Sequence, residues 1–414
     1  SSQAQKWSRA TVSDMLLLRP LIEKVCPAVK IMRGAMRTIR TEFVFLFLLS
    51  GCLALLAVPL KVLFWLPDVQ DILAFIPMPE RPFWHGHELL VGYSQTVLGG
   101  YLLTRPGKTI IRLFIVLWLG ARVAIFIPDQ TGTYLGTVCN IAVFGMLFSY
   151  AGLAFFRAAK RLKSAVPGII ILFLLLAEVA FLIGEISHLP VLQETALRAI
   201  IWLLILLLFL MGGRIIAAAT SGALQKQNKY RPYMAQGLLE SYGLVSLIAA
   251  AICDLIKFPS ILPAALSTLA ATVIFCRLWK WRVWLVKDAF DLTSLHLGYA
   301  MLAIGLIFNT ALTIAQEPSG LVGFPNALIG GFAVLSTTVM CRTVLQRLRF
   351  SLSLPVTMRV SNVCLLGSAF TRMGAFQEVA STELLIVSAI LWEMAFFGFT
   401  ATLIYITWRF QRPK

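Results

Sequence analysis

Two of the four histidines in the chain flank a single glycine, in the stretch WHGHELLVG that begins at Trp84. His85 and His87 carry imidazoles, which bind copper, zinc and haem iron, and the adjacent Glu88 could hold the ring nitrogen that is not bound to metal. If the segment is extended, both imidazoles face the same way and could share one ion, whereas in a helix they point apart. The pattern indicates either a metal site or a hydrogen-bonded cap on a helix.

The residues that follow this pair predict a close-packed helix face. His85, Glu88, Gly92 and Gly99 are separated by steps of three, four and seven residues, so they share one stripe of a helix. Glycines on such a stripe allow a neighbouring helix or a flat macrocycle to approach closely.

Other ionisable side chains lie inside apolar runs, where each is a candidate functional group because charge in lipid is unfavourable. They are Arg122, Glu178, Arg214, His296, Arg342 and Glu393. Arg214 needs a carboxylate, a haem propionate or a lipid headgroup nearby, unless it snorkels to the inner leaflet. His296 either bonds a backbone carbonyl of another helix or binds a metal. Glu178 and Glu393 either pair with a cation or belong to a proton path.

The elements that must position these groups are membrane-spanning helices. The 414 residues are 59% apolar and only 13% charged, about half the charged share of an ordinary soluble protein. Runs of about 20 residues with almost no charge can each cross the bilayer as a helix. Twelve spans are predicted, at about 43–66, 86–104, 109–127, 134–156, 167–187, 196–219, 236–254, 259–277, 289–312, 322–343, 357–376 and 384–408. The predicted fold is an all-α polytopic membrane protein, with one twelve-helix domain at 43–408.

The distribution of basic residues predicts the orientation of these spans. If both termini are cytoplasmic, thirty of the 36 Lys and Arg lie on the inner side, as the positive-inside rule requires. The six that lie in outer loops or in the outer halves of spans are Lys61, Arg81, Arg122, Arg198, Lys257 and Arg372. A miscounted helix would invert every later loop and remove this bias.

The ends of the chain are basic. Residues 1–42 alternate basic and apolar side chains, which favours a helix on the cytoplasmic leaflet or, alternatively, a contact with other subunits. Residues 409–414 form a basic cytoplasmic tail. The net charge of +17 is explained by cytoplasmic loops beside anionic lipid, and no stretch has the pattern of a nucleic-acid surface. No Walker A loop, dinucleotide fingerprint, CxxC pair or clear internal repeat is present.

Four segments together resemble the signatures of the NnrS family. WHGHELLVGYSQTVLGGYLLTRP, followed by LWLGARVAIF, is similar to the first signature, and GGRIIAAATSGAL is similar to the second. LHLGYAMLAIGLIF and NALIGGFAVLSTTVMCR resemble the third and fourth, in the same order and spacing over residues 80 to 345.

The resemblance implies a bacterial inner-membrane protein of twelve helices that carries haem and copper. It links the chain to denitrification and to resistance to nitric oxide and nitrosative stress, with no established catalytic reaction. By motif, the cofactor residues would be His85, His87, Arg122, Arg214, His296 and Arg342, with His85 and His87 as metal ligands.

The chain departs from the family pattern at two points. The fourth signature normally has a histidine where Asn326 stands here, and Asn is a poor ligand for haem iron or copper. The second signature normally continues Ile-Pro-Phe-Phe-Thr, where this chain reads IIAAAT. Two alternatives to a haem- and copper-binding protein therefore remain: an accessory subunit of a larger membrane complex and a transporter of a small solute.

Overall fold

A computed structural model describes residues 42–64, 83–127, 129–160, 162–227, 236–285, 289–315, 328–375 and 381–411. Within these ranges the chain is helical and has no strand, which confirms the all-α prediction. The predicted N-terminal segment up to residue 41, the last three residues of the tail, Arg81 and Asn326 lie outside the described residues.

Each predicted span coincides with one of twelve long helices in the described part of the chain. They are α1 (Glu42–Leu63), α2 (84–102), α3 (Lys108–Phe126), α4 (129–158), α5 (Leu162–Ile186), α6 (Pro190–Lys226), α7 (Gly237–Leu255), α8 (Ile261–Trp281), α9 (Phe290–Ile314), α10 (328–347), α11 (Val356–Gly374) and α12 (Ser381–Gln411). Ten of the twelve are long and apolar enough to cross a membrane, and α2 and α11 are the exceptions.

The polarity of α2 is explained by its place inside the bundle. Ser94, Gln95 and Thr96 in its middle are at most 1% exposed. The Ser94 hydroxyl donates to the Val91 carbonyl at 3.1 Å, and that of Thr96 donates to the Tyr93 carbonyl at 2.9 Å. Because these polar groups are paired and face protein rather than lipid, a helix of lower hydropathy is stable here.

Three helices, α2, α6 and α10, contact one another at the centre of the bundle. Each contains a π-helical segment, at Glu88–Gly92, Leu208–Gly212 and Leu328–Ala333. Successive segments begin 120 residues apart, from 88 to 208 and from 208 to 328. A fourth segment, Phe148–Gly152 in α4, does not follow this spacing.

The 120-residue spacing places a π-helical segment in every fourth helix, in α2, α6 and α10, although no repeat is evident in the sequence. The three π-helical segments read ELLVG, LFLMG and LIGGFA. They therefore share backbone geometry and position but little residue identity. In lipid many apolar side chains pack equally well, so a helix can keep its geometry while its sequence changes.

Candidate cofactor site

His85 lies in the first turn of α2 and faces α1. Its Nδ1 donates a hydrogen bond to the carbonyl oxygen of Ala57 at 3.1 Å. Its Nε2 has no hydrogen bond to any described residue, and the side chain lines a cavity of about 450 Å³. In metal-binding histidines one ring nitrogen commonly donates to a backbone carbonyl and the other binds the metal. His85 has this arrangement.

The walls of this His85 cavity come from α1, α2, α6, α10, α11 and α12 and are mainly apolar. They include the aromatic rings of Tyr93, Phe332 and Trp392, and two cations, Lys61 and Arg372. The volume lies in the range of about 300–1,000 Å³ that is typical of small-molecule and cofactor sites. Cations beside an apolar cavity suit a ligand that is largely apolar and carries carboxylates.

His85 and His87 face different parts of the bundle, as expected for two residues separated by one position in a helix. His87 lines an outer polar crevice of about 40 Å³ between α2, α3, α4, α5 and α6, and not the His85 cavity. The predicted stripe on α2 is therefore only partly confirmed. Glu88 and Gly92 both adjoin Arg122 of α3, whereas His85 contacts α1. A π-helical turn begins at Glu88 and adds a residue, which rotates the side chains that follow it by about 100°.

The ring of His87 is held between two carboxylates. Its Nε2 lies 3.0 and 3.1 Å from the two carboxylate oxygens of Glu178 on α5, and its Nδ1 lies 3.4 Å from Glu88. The ring stacks on Phe181 at 4.4 Å between centroids. Glu178 is 0% exposed, and of the two hypotheses for this residue the structure contains the pairing with a basic side chain of another helix. In this arrangement neither nitrogen of His87 is free to bind a metal.

Arg122 completes this outer cluster, and Gly92 makes room for it. The Arg122 Nε donates to Glu88 at 2.9 Å, and Nη1 donates to Asn140 at 3.1 Å and to the Trp118 carbonyl at 3.2 Å. A Cβ at Gly92 would collide with the guanidinium of Arg122 and would lie 2.8 Å from Glu88 Oε2. The glycine of α2 therefore admits a buried ion pair rather than another helix backbone.

Five of the six basic residues that depart from the predicted positive-inside pattern lie in the described part of the chain, and each lines or adjoins a cavity. Lys61 and Arg372 line the His85 cavity, and Arg122 contacts Glu88 and Asn140 in the wall of the outer polar crevice. Arg198 and Lys257 line a third cavity of about 310 Å³ between α6, α7, α8 and α9.

A second ionic cluster lies in the inner half of the bundle. Arg214 Nη2 donates to Glu240 of α7 at 2.7 Å, so the predicted need for a nearby anion is met by a carboxylate. Arg277 of α8 is 0% exposed, lies 3.6 Å from Glu240, and donates to the Tyr299 hydroxyl at 2.7 Å. A Cβ at Gly213 would lie 2.7 Å from the Cζ of Arg277. The Gly-Gly-Arg motif thus supplies both a cation and the space for a second one.

The remaining predicted residues are buried near this inner cluster. His296 Nδ1 donates to the Leu292 carbonyl at 2.8 Å, and its buried Nε2 has no hydrogen-bond partner among the described residues. The backbone carbonyl belongs to its own helix rather than to a neighbouring one. Arg342 of α10 forms an ion pair with Asp291 of α9. The six candidates therefore divide between the His85 cavity, the outer cluster and the inner half.

No three His, Cys, Asp or Glu side chains among the residues that the structure describes come together where they could hold one ion. Asn326, which stands at the position of the family's fourth histidine, lies outside them.

The sequence of this chain matches a known protein family. The family model described as NnrS protein matches residues 39–410, which is nearly the whole chain and all twelve helices up to the last residue of α12. A search of curated proteins gives no match. The match covers both ionic clusters, the His85 cavity, Gly92 and Gly213. The chain therefore belongs to the NnrS family.

Proposed function

We propose that this NnrS-family protein binds haem in the His85 cavity and acts in the response to nitric oxide and nitrosative stress in the bacterial inner membrane. The observation that carries the proposal is the orientation of His85. Its Nδ1 is bonded to the Ala57 carbonyl while Nε2 is left for a ligand at a cavity of about 450 Å³. A proximal histidine with its second nitrogen bonded to the backbone is a common way of holding haem iron.

The lining of the cavity fits the two chemical parts of a haem. The rings of Tyr93, Phe332 and Trp392 provide apolar surface for the macrocycle. Lys61 and Arg372 provide positive charge for the two propionates, which would otherwise be unpaired in a medium of low dielectric constant. Bound haem iron would supply one-electron chemistry and a coordination position for a small ligand such as nitric oxide.

Copper is not part of the residue-level proposal. Both nitrogens of His87 contact carboxylates, and His85 lines a different cavity. A shared copper ion would require the ring of His87 to leave Glu178, which is fully buried. We propose instead that His87 holds the outer cluster together.

The test is an absorption spectrum with iron and copper analysis of the purified full-length protein. Wild type is expected to show a Soret band and one iron per chain. His85→Ala is expected to lose both, whereas His188→Ala, at an exposed histidine outside the three cavities, retains them. Purified wild type without Soret absorption and without iron refutes the proposal; if it then copurifies with other membrane subunits, the accessory-subunit hypothesis is favoured.

A second pair of variants tests the proposed role of the cations. Lys61→Gln is expected to release haem more readily than wild type when apomyoglobin is added as an acceptor, because a propionate loses its partner. Lys257→Gln is the matched control, since Lys257 lies on the same side of the bundle at a different cavity. Equal rates of haem loss for the two variants would show that Lys61 does not contact the bound group.

A further inference from the structure

A fourth cavity shares part of its wall with the His85 cavity. It has a volume of about 100 Å³ and is bordered by α2, α4, α5, α6, α9 and α10. Its exposed lining is entirely apolar, and it includes Val97, Leu98, Leu207 and Met211. We call it the lipid-side crevice.

The wall between the crevice and the His85 cavity is one side chain thick. Phe332 lines both. Beside it, Tyr93 of the His85 cavity is hydrogen-bonded to Ser336 of the crevice at 2.7 Å between hydroxyl oxygens. The rings of Tyr93 and Phe332 meet edge to face at 5.3 Å. Phe332 is the lining residue that the two spaces have in common, so a connection between them would pass beside its side chain.

Phe332 lies in an irregular part of the α10 backbone. It belongs to the π-helical segment Leu328–Ala333, in which the backbone hydrogen bonds are displaced from the regular helical pattern. π-Helical insertions are frequent at functional sites. The side chain is 9% exposed, so it is packed on most of its surface but is not sealed in the core.

The lining of the crevice favours an opening towards lipid over an opening towards water. Val97, Leu98, Leu207, Leu208 and Met211 are half-buried rather than packed on all sides, and the exposed surface of the crevice is apolar. They lie in the spans α2 and α6, in turns that contain no charged side chain. An aqueous entrance would need polar groups to hold water, whereas an apolar cavity of this size remains dry.

The volume restricts what can occupy the crevice. About 100 Å³ is roughly the volume of three water molecules in the liquid, and an apolar cavity of about 150 Å³ in another protein binds xenon or benzene. The space therefore accepts a molecule of a few atoms and is too small for a haem or for a lipid tail along most of its length. Uncharged apolar molecules also concentrate in the bilayer.

We propose that the lipid-side crevice binds a small, uncharged, apolar molecule from the bilayer and that Phe332 is the gate through which it reaches the His85 cavity. This inference rests on the proposed function for the identity of the destination, but the existence of the apolar site does not depend on haem. The site takes its specificity from its size and from an exposed lining that is entirely apolar, so it excludes water and ions from the same route.

The first test uses xenon, which is apolar and electron-dense, with crystals of the full-length protein under xenon pressure. We expect an anomalous peak in the crevice beside Val97 and Phe332, and no such peak there in Val97→Trp. Absence of xenon from the wild-type crevice, or density for a lipid acyl chain in its place, overturns the proposal. This test needs no haem, so a haem-free protein would contradict the proposed function and would still decide whether the crevice binds an apolar molecule.

The second test follows carbon monoxide rebinding after photolysis in the haem-loaded protein in nanodiscs. We expect Val97→Trp to rebind about tenfold more slowly, which corresponds to about 1.4 kcal/mol of additional barrier, and Phe332→Ala to rebind faster than wild type. Val116→Trp is the matched control, because Val116 of α3 is 64% exposed and lies away from both cavities. Equal rates for Val97→Trp and Val116→Trp would show that the ligand enters by another route.

Discussion

Replacement of Gly92 by alanine tests whether Gly92 is needed to make room for the ion pair between Arg122 and Glu88. The new methyl group would collide with the Arg122 guanidinium and would lie 2.8 Å from both Glu88 Oε2 and the Cδ2 of Leu53. Arg122 cannot move away freely, because its Nε and Nη1 make four hydrogen bonds to groups on α2, α3 and α4. One of the buried charges must therefore lose part of its pairing.

The magnitude follows from three contributions to the free energy of unfolding. Overpacking of a buried site lowers it by about 1–3 kcal/mol, and complete loss of one partner of a buried ion pair lowers it by about 3–5 kcal/mol. Arg122 keeps the Asn140 and Trp118 contacts, so the second contribution is smaller than its full value. Alanine in a helix instead of glycine adds up to about 1 kcal/mol of stability. The expected net loss is about 1–3 kcal/mol.

Gly86→Ala is the matched control for this substitution. Gly86 lies six residues earlier in the same helix, and a Cβ there meets no atom within 4 Å. We expect Gly86→Ala to be neutral or to gain up to about 1 kcal/mol from helix propensity. The assay is reversible unfolding of the purified variants in mixed detergent micelles, followed by tryptophan fluorescence. If Gly92→Ala is as stable as Gly86→Ala, then Gly92 is not needed to accommodate the ion pair and the reasoning is refuted.

Two further substitutions test the other buried clusters by the same assay. Gly213→Ala places a methyl group 2.7 Å from the Cζ of Arg277 and is expected to lower the free energy of unfolding by about 1–3 kcal/mol, whereas a Cβ at Gly222 of the same helix meets nothing within 4 Å. Equal effects of Gly213→Ala and Gly222→Ala would contradict the packing of Arg277 against the motif. Glu178→Gln keeps an acceptor for His87 and is expected to lower stability by about 1–3 kcal/mol, while Glu178→Ala is expected to lower it by about 3–5 kcal/mol. If alanine is no worse than glutamine, Glu178 does not hold His87.

The twelve helices could be predicted because lipid imposes a simple rule on the sequence. Every span must satisfy its backbone hydrogen bonds internally and expose apolar side chains, so hydropathy and length locate it. Lys and Arg on the cytoplasmic side then check the count. α2 and α11 are less apolar than the others, and their predicted spans were supported by the charge count where hydropathy alone is weak.

The partners of the buried charges could be predicted only in kind. Arg214 was expected to need an anion, but nothing in the sequence singles out Glu240, which lies 26 residues later. Arg277 is one of the thirty basic residues that the charge bias places on the inner side, yet its side chain is 0% exposed. The available signal was Gly213, since a glycine pair in the middle of a helix implies that something packs closely against it.

The arrangement of side chains along α2 depends on backbone geometry that the sequence does not reveal. Steps of three and four residues predict a common helix face only while the helix is regular. The π-helical turn at Glu88–Gly92 interrupts that regularity: His85 bonds to α1, whereas Glu88 bonds to Arg122 of α3 and Gly92 lies beside both Arg122 and Leu53 of α1. No residue type in ELLVG marks the insertion.

The polar middle of α2 has a consequence for how the protein is made. Ser94, Gln95 and Thr96 are buried against neighbouring helices in the finished bundle, but each would face the translocon or lipid while the chain is being synthesised. Glu88 would also lack its Arg122 partner until that residue, 34 positions later, has emerged. We therefore expect α2 to integrate stably into the bilayer only together with α3, so that biogenesis proceeds by helix pairs rather than by single spans.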